Sequence, residues 1–409
     1  MAAIRLTCAV NNYHWGKHGL DSKAAQFAAT NPDVAIDTNQ TYAELWMGTH
    51  PSGPSHVYGT DTPLSAIVEE CPEQALGANV MAKYGASIPF LFKVLSIEKA
   101  LSIQAHPDKA LAEKLHAERP TVYKDPNHKP EMSIALTDFI AMSGFRPLEE
   151  IARFLEEYPE FRALVSNSAS AFVDALQSTC DVEAKKAALK ALFSELMNAP
   201  EASVKEQLAL LLARVSPADD ELSPNALVHR LAAEYPDDVG VFCVFVLNVL
   251  QLRPGDAFFM GPNDPHAYIS GDCIECMATS DNVVRAGLTP KLRDVPVLVD
   301  MLTYEFGSPD AKLLKPVRLA GAEHSVVYDP PIDEFSVIKT ALSGGASERV
   351  AFDGPQIMIV SEGTGVLIDS EESHALAPGY VYFIAASSPV VIEASEGSNL
   401  VAYTATCLA

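Results

Sequence analysis

Hydrophobic positions change their period twice along this chain of 409 residues, and the two changes divide it into three stretches. From residue 1 to about 146, short apolar runs such as Pro89-Phe90-Leu91-Phe92-Lys93-Val94-Leu95 alternate with Gly, Pro, Asn and Asp clusters, Thr49-His50-Pro51-Ser52-Gly53-Pro54 among them. Runs of this length between turn formers predict strands. Between 147 and 240 the period becomes helical. Leu189, Leu192, Phe193 and Leu196 form one stripe and Leu208, Leu211, Leu212 and Val215 another, with caps and stops at Pro147, Ser216-Pro217 and Ser223-Pro224. From Val241 onward the β pattern returns and continues through Ile357 to Val360, Tyr380 to Phe383 and Leu400 to Tyr403. The expected fold is therefore mainly β with an α insertion: a discontinuous domain of residues 1–146 and 241–320, an inserted helical domain 147–240 and a closing β domain 321–409.

A weak repeat refines the β part. Leu252-Arg253-Pro254-Gly255-Asp256-Ala257-Phe258-Phe259 aligns with Leu376-Ala377-Pro378-Gly379-Tyr380-Val381-Tyr382-Phe383, and eleven residues after each first proline stands another, Pro265 and Pro389. His266 follows the first and Val390 the second. A Pro-Gly turn into an aromatic strand and then Pro-His is the pattern of a double-stranded β-helix, the cupin jelly roll, which binds metal inside its barrel. Two such barrels are expected, the second without metal ligands, although Pro-Gly turns before strands occur in β proteins of every kind.

Composition removes several function classes. The formal charge of -24 repels polyanions, so neither nucleic acid nor an anionic membrane is an expected partner, and an anionic substrate would need a local basic pocket. The longest apolar runs fall short of the roughly 20 residues that span a bilayer, and Met1-Ala2-Ala3-Ile4-Arg5 lacks a signal-peptide core. Seven scattered cysteines fit a reducing compartment, and with no second closely spaced pair Cys273 and Cys276 read as buried thiols rather than a metal or redox pair. The cytoplasm is the expected location.

Three clusters carry metal-compatible side chains: Gln104-Ala105-His106-Pro107-Asp108-Lys109, His128-Lys129-Pro130-Glu131 and Asn263-Asp264-Pro265-His266-Ala267-Tyr268. The i, i+2 spacing of Gln104 and His106 sets both on one face of a strand. Glu131 and His266 would complete a four-ligand N/O set that suits Zn²⁺, while two His and one carboxylate also suit Fe(II). Downstream, Gly271 to Asp294 supplies Glu275, Asp281, Arg285, Lys291 and Arg293, either as a solvated loop or as a phosphate site in an acidic protein. Tyr13, Trp15 and Trp46 read as core aromatics.

The stretches Gln104 to Lys109, Lys129 to Met132, Asn263 to Asp272 and Glu275 to Lys291 resemble those of type I mannose-6-phosphate isomerases of the cupin superfamily. So do Asn11-Asn12-Tyr13-His14-Trp15-Gly16, Glu44-Leu45-Trp46-Met47-Gly48-Thr49-His50 and the domain order. The resemblance implies one zinc held by Gln104, His106, Glu131 and His266. It aligns Arg285 with the family's active-site arginine and puts Lys129, Glu275, Lys291, Ser102 and Tyr268 on pocket positions.

The implied reaction is the interconversion of mannose 6-phosphate and fructose 6-phosphate by proton transfer through an enediol, feeding GDP-mannose synthesis or mannose utilisation, with the chain acting as a monomer. Glu275 raised by burial and Lys129 lowered by the cation are alternative bases. Arg285 would stabilise the enediolate or hold the phosphate, with Lys291 and Ser102 on phosphate oxygens. An Fe(II) oxygenase would need neither Arg285 nor Lys291, and a sugar-phosphate sensor would need no acid/base group. The helical module, inserted between two clusters of site residues, is a candidate lid.

Overall fold

A thirteen-residue strand, His266–Ala278, is the spine of the N-terminal β region. The computed structural model describes residues 3–178, 180–370 and 372–408; Met1, Ala2 and Ala409, the outermost ends of the first and last expected domains, lie outside the described residues, as does Glu371. The first part of the spine pairs antiparallel with Phe139–Phe145 and, at His266, with Ile103–Ala105. The second part pairs with Phe90–Ile97 and Glu131–Ala135. Between them the register slips, with Ile140 opposite Ser270 but Ala141 opposite Tyr268. Such a bulge inverts which alternate residues face inward. Gly271 allows the bend: its φ is +113°, and a Cβ there would meet the Asp138 carbonyl oxygen at 2.5 Å. One strand thus passes from one face of the enclosure to the other. Ala257–Met260, Val284–Gly287, Leu247–Leu252, Glu44–Met47 and Ala9–Asn11 complete the ten-stranded sheet.

The repeated motif occupies equivalent local structure in both copies. Leu247–Leu252 and Ser373–Leu376 end on the repeat's leucines, Gly255 and Gly379 turn at φ +93° and +87°, Ala257–Met260 and Val381–Ile384 follow, and the next strands open on His266 and Val390. Val390 is buried among apolar neighbours, where His266 faces a polar cluster.

The expected strand-only character of residues 1–146 needs correction, and with it the mainly β description: the architecture is mixed α/β, antiparallel sheets with a helical insertion. Helices Lys23–Ala28, Leu64–Glu70, Pro72–Leu76, Ala78–Tyr84 and Lys109–Glu118 lie in this part. Most are short, punctuated by Pro72 at a helix start and by Gly77 and Gly85 at left-handed φ, so the same Pro and Gly that mark strand turns mark helix ends here.

Among the described residues, six helices lie between Leu148 and Glu234. Leu189, Leu192, Phe193, Leu196, Leu208 and Leu211 are buried as their spacing predicts, Leu212 and Val215 partly so. Ser223 caps Pro224–Glu234 by accepting from the Ala226 N–H at 3.2 Å. The β pattern does not resume at Val241: Val239–Phe245 is a 3₁₀ helix and the strand starts at Leu247. Every residue of that apolar run is buried, and Phe245 packs against Tyr158, Phe161 and Phe154 at 4.4, 5.3 and 5.7 Å between ring centroids. A run without alternation does not distinguish strand from helix.

The module shares one core with the outward-facing residues of the sheet, Ile103, Ala105, Ile140, Met142, Val284 and Ala286. It is packed onto the strands that carry the site, which does not favour the lid expectation. In the C-terminal region, Ala3–Thr7 pairs with Val381–Ile384 within an eight-stranded sheet. That sheet faces a four-stranded one across the core around Ile338, Met358, Leu367 and Ile392. Among the described residues no helix is long and apolar enough to cross a membrane, and Cys8, Cys71, Cys180, Cys243, Cys273 and Cys276 are free thiols.

Candidate active site

Alternation along strands builds one cavity. Residues two apart point to the same face of a strand, as Glu44 and Trp46 and Lys93 and Leu95 do; Ser102 and Gln104, Lys129 and Glu131, and Val283 and Arg285 straddle strand starts, and all ten residues line a cavity of about 360 Å³. Tyr268 and Glu275 join them from the two parts of the spine strand, and Leu288 to Lys291 form part of the wall.

At its floor lie His106, Glu131 and His266, with candidate ligand atoms all within 4.8 Å of one another. Glu131 Oε2 is 3.4 Å from His106 Nε2 and 3.2 Å from His266 Nε2. These three atoms are buried and have no hydrogen-bond partner, an arrangement that costs free energy unless something binds there. The other side of each group is satisfied. His106 Nδ1 donates to the Asn282 carbonyl at 2.6 Å, His266 Nδ1 donates to the Asp264 carbonyl at 3.0 Å, and Glu131 Oε1 takes the Lys129 ammonium at 2.7 Å.

Both imidazoles thereby present Nε2 to the cluster, the nitrogen a metal would take. Burial and Lys129 also push His106 down to about 4. Burial alone would raise the Glu131 carboxyl, but Lys129 and His106 hold it well below the ordinary value. Two imidazole nitrogens and a carboxylate oxygen fit a divalent cation with nitrogen and oxygen ligands. Gln104 lies directly across from His266 and from Arg285 in strand register and lines the same cavity.

A loop knot supports the floor. The Asp125 carboxylate accepts from Asn127 N, Ser280 Oγ and Asp281 N, at 2.9, 2.8 and 2.8 Å. Asn282 Nδ2 donates to the Asp125 and Asn127 carbonyls at 2.6 and 3.0 Å. The segment leading to Lys129 and Glu131 is thus tied to the one whose carbonyl orients His106.

A second polar chain crosses the cavity wall. The Lys93 ammonium sits 3.2 Å from Glu275 Oε2 and 3.7 Å from Glu44 Oε2. Tyr268 Oη donates to Glu275 Oε1 at 2.7 Å and accepts from Ser133 Oγ at 2.8 Å, and Trp46 Nε1 donates to Glu44. Burial works against the Lys93 charge, yet Glu44 and Glu275 raise its proton affinity well above the usual lysine range. Burial raises Glu275 even against Lys93. Burial lowers Arg285 somewhat, but a guanidinium keeps its charge at neutral pH.

Of the residues singled out in the sequence, Ser102, Gln104, Lys129, Glu131, Tyr268, Glu275, Arg285 and Lys291 line this one cavity, and His106 and His266 meet Glu131 at its floor. The core reading holds for Trp46, which is buried against Leu91 and Met277, and in part for Trp15, yet both line the cavity, as does Tyr13, stacked on Trp15 at 5.8 Å and 43% exposed. Sequence reasoning missed Lys93 and Glu44. A lysine inside the apolar run from Phe90 to Leu95 was the available signal, because a charge there must find a buried partner.

Residues 3–148 match the family of phosphomannose isomerase type I catalytic domains, 164–247 its helical insertion domain and 325–372 its C-terminal domain. The chain is 46% identical to a mannose-6-phosphate isomerase of Ogataea parapolymorpha, over 99% of this chain and 98% of that one. It is 42% identical to that of Homo sapiens over the whole of both. Among solved structures it superposes along its full length on a mutant phosphomannose isomerase from Salmonella typhimurium, with a TM-score of 0.85 and 31% identity. A mannose 6-phosphate isomerase bound with zinc and yttrium gives 0.84 and 33%, again over both whole chains.

Proposed function

The chain belongs to the type I phosphomannose isomerase family, and from that premise we propose how its own residues divide the work of interconverting mannose 6-phosphate and fructose 6-phosphate. The observation that carries the proposal is the convergence of three partnerless ligand atoms on the floor of a cavity whose lining includes the buried carboxylate of Glu275 and four cationic side chains, Lys93, Lys129, Arg285 and Lys291. Gln104, His106, Glu131 and His266 are the proposed zinc ligands, and zinc when bound supplies Lewis acidity toward the sugar oxygens.

The rest of the task falls to protein groups. Isomerisation of the open-chain sugar removes the proton from C2 while O1 takes one up, leaving an enediol with its double bond between C1 and C2; return of a proton to C1 and loss of one from O2 give the ketose. Glu275 is assigned the C2-to-C1 transfer. Its raised proton affinity suits a base that must also give the proton back, and the Tyr268 hydroxyl and Lys93 ammonium fix its two oxygens. Lys129 is assigned to holding Glu131, because its ammonium is committed to that carboxylate. Arg285, across from Gln104 in register, is assigned to the negative charge that develops on O1 and O2. Lys291 and Ser102, also on the cavity wall, are left for the phosphate.

At the scale of the fold, the two β regions are read as two double-stranded β-helices, 1–146 with 241–320 and 321–409, with 147–240 inserted; the repeated turn and strands support this, and Val390 marks the barrel without ligands. A single chain suffices as the working unit, since every assigned residue comes from it. Free cysteines support a reducing, cytoplasmic setting. Purified protein should convert mannose 6-phosphate to fructose 6-phosphate, lose the activity to a chelator and regain it with zinc. A folded, metal-loaded sample without this activity would refute the assignment.

A further inference from the structure

At the end of the inserted helical module Tyr235 lines the cavity, and a carboxylate three residues on grips one of its walls. Asp238 stands where the module ends, at the start of the 3₁₀ segment Val239–Phe245. Its Oδ1 accepts from Gly240 N at 2.7 Å and from Leu288 N at 2.8 Å, and its Oδ2 accepts from Thr289 N at 3.0 Å. Two of these donors lie about fifty residues away in sequence, in the Leu288 to Lys291 loop that walls the cavity. Leu288 holds the left-handed conformation at φ 54°, which a branched side chain adopts only when its surroundings impose it. Its N–H is taken by Asp238 and its side chain is buried in the core shared with the module.

Two glycines make the reach possible. A Cβ on Gly287 would lie 2.6 Å from Gly240 Cα, and a Cβ on Gly240 would lie 2.5 Å from Leu288 N, so the two backbones touch where any side chain would separate them. A second tether follows the loop: Arg293 donates to the Met197 carbonyl of the module at 2.9 Å and to the Ala286 carbonyl at 2.7 Å. Between these fixed points Lys291 N donates to Thr289 Oγ1 at 3.0 Å, ordering a residue that lines the cavity.

We propose that Asp238 is a positioning residue through which the helical insertion sets the Leu288 to Lys291 loop as the phosphate-binding wall of the site. This rests on the assignment of Lys291 to phosphate. Asp238 touches no substrate; it fixes a loop that does. Exchange of Asp238 for Asn keeps Oδ1 as an acceptor but turns an amide toward the Thr289 N–H, releasing one half of the clamp at little change in volume.

The test uses the full-length, zinc-loaded protein, with inorganic phosphate as a competitive probe. Asp238→Asn is expected to raise KM for mannose 6-phosphate and the inhibition constant for phosphate about tenfold, with zinc content and kcat changed little. A structural role alone would lower the folded, zinc-loaded fraction or kcat and leave the phosphate constant unmoved. That result, in a protein with a normal melting transition, overturns the proposal.

Lys291→Met separates this inference from the assignment beneath it. If Lys291→Met weakens phosphate and Asp238→Asn does not, the clamp is wrong and the phosphate assignment stands. If Asp238→Asn weakens phosphate and Lys291→Met does not, the loop's backbone or Thr289 holds the anion and the clamp stands. If neither does, both fall. In the double variant the two effects should not add, because each removes the same contact.

Discussion

Burial raises the proton affinity of Glu275 and Lys93, 3.2 Å away, lowers it, and burial prevails. A base must be ionised to act, so kcat/KM should fall with acidification through a value above the ordinary glutamate range of about 4.3. Lys93→Met removes the opposing charge and should move that acid limb to still higher pH. A pH profile of kcat/KM checks both, and a limb that stays in place would count against Glu275 as the base. His266 makes a similarly local claim. Without its imidazole the cluster keeps only His106 Nε2 and Glu131 Oε2 among the three converging atoms, so His266→Ala should lose most of its zinc by atomic absorption. Unchanged metal content would refute the ligand set. At this scale residue types were informative: Gln104 lines the cavity and His106 stands at its floor, although the strand ends at Ala105, so the i, i+2 spacing does not put the two on one strand. Lys93 escaped because its partners, Glu44 and Glu275, are remote in sequence.

Between residue and fold, loops act as orienting elements. Asp125 ties the segment that carries Lys129 and Glu131 to the Ser280 to Asn282 turn, and the Asn282 carbonyl fixes the His106 ring. Asp125→Ala should therefore weaken zinc binding about 10- to 100-fold in a protein that still folds, as measured by competition with a chromophoric chelator. An unchanged zinc affinity would mean that the ring is held by its strand alone. The helices behaved as their apolar stripes predicted, since 3.6-residue periodicity carries its own burial signal. The 3₁₀ segment Val239–Phe245 did not, because all its residues are buried and no alternation remains to be read. The short helices before residue 120 were hidden for a related reason: a helix of five to seven residues spans too few turns to show a stripe.

Across the whole molecule, sequence boundaries and packing boundaries part company. Leu45, Phe90, Phe92 and Val94 from the first β region share one core with Ile357, Ile359, Phe383 and Tyr403 from the last, and the first described strand pairs in the C-terminal sheet. A chain ending at residue 320 would expose that apolar surface and leave Ala3–Thr7 without its partner Val381–Ile384. It should fail to give soluble, cooperatively unfolding protein, as a sedimentation assay and thermal unfolding would report. A stable, zinc-binding truncation would mean that the C-terminal region is dispensable for folding. The charge of -24 belongs to this scale too. Within it, Lys93, Lys129, Arg285 and Lys291 line one cavity together with Glu44, Glu131, Glu275 and Asp281, so this lining is charge-balanced in a strongly acidic chain.

The sequence by itself determined the order of β and helical stretches, the repeated turn, the ligand types and the family, because these are written in local periodicity and in motifs a few residues long. Only the tertiary structure decided that Lys93 stands between two carboxylates, that Tyr13, Trp15 and Trp46 face the cavity, and that Asp238 grips a loop fifty residues ahead. The physical reason is the same in each case. A side chain's energy depends on what surrounds it, and a buried charge or a backbone held at positive φ is tolerated only because distant segments meet there. Such meetings leave no periodic trace along the chain.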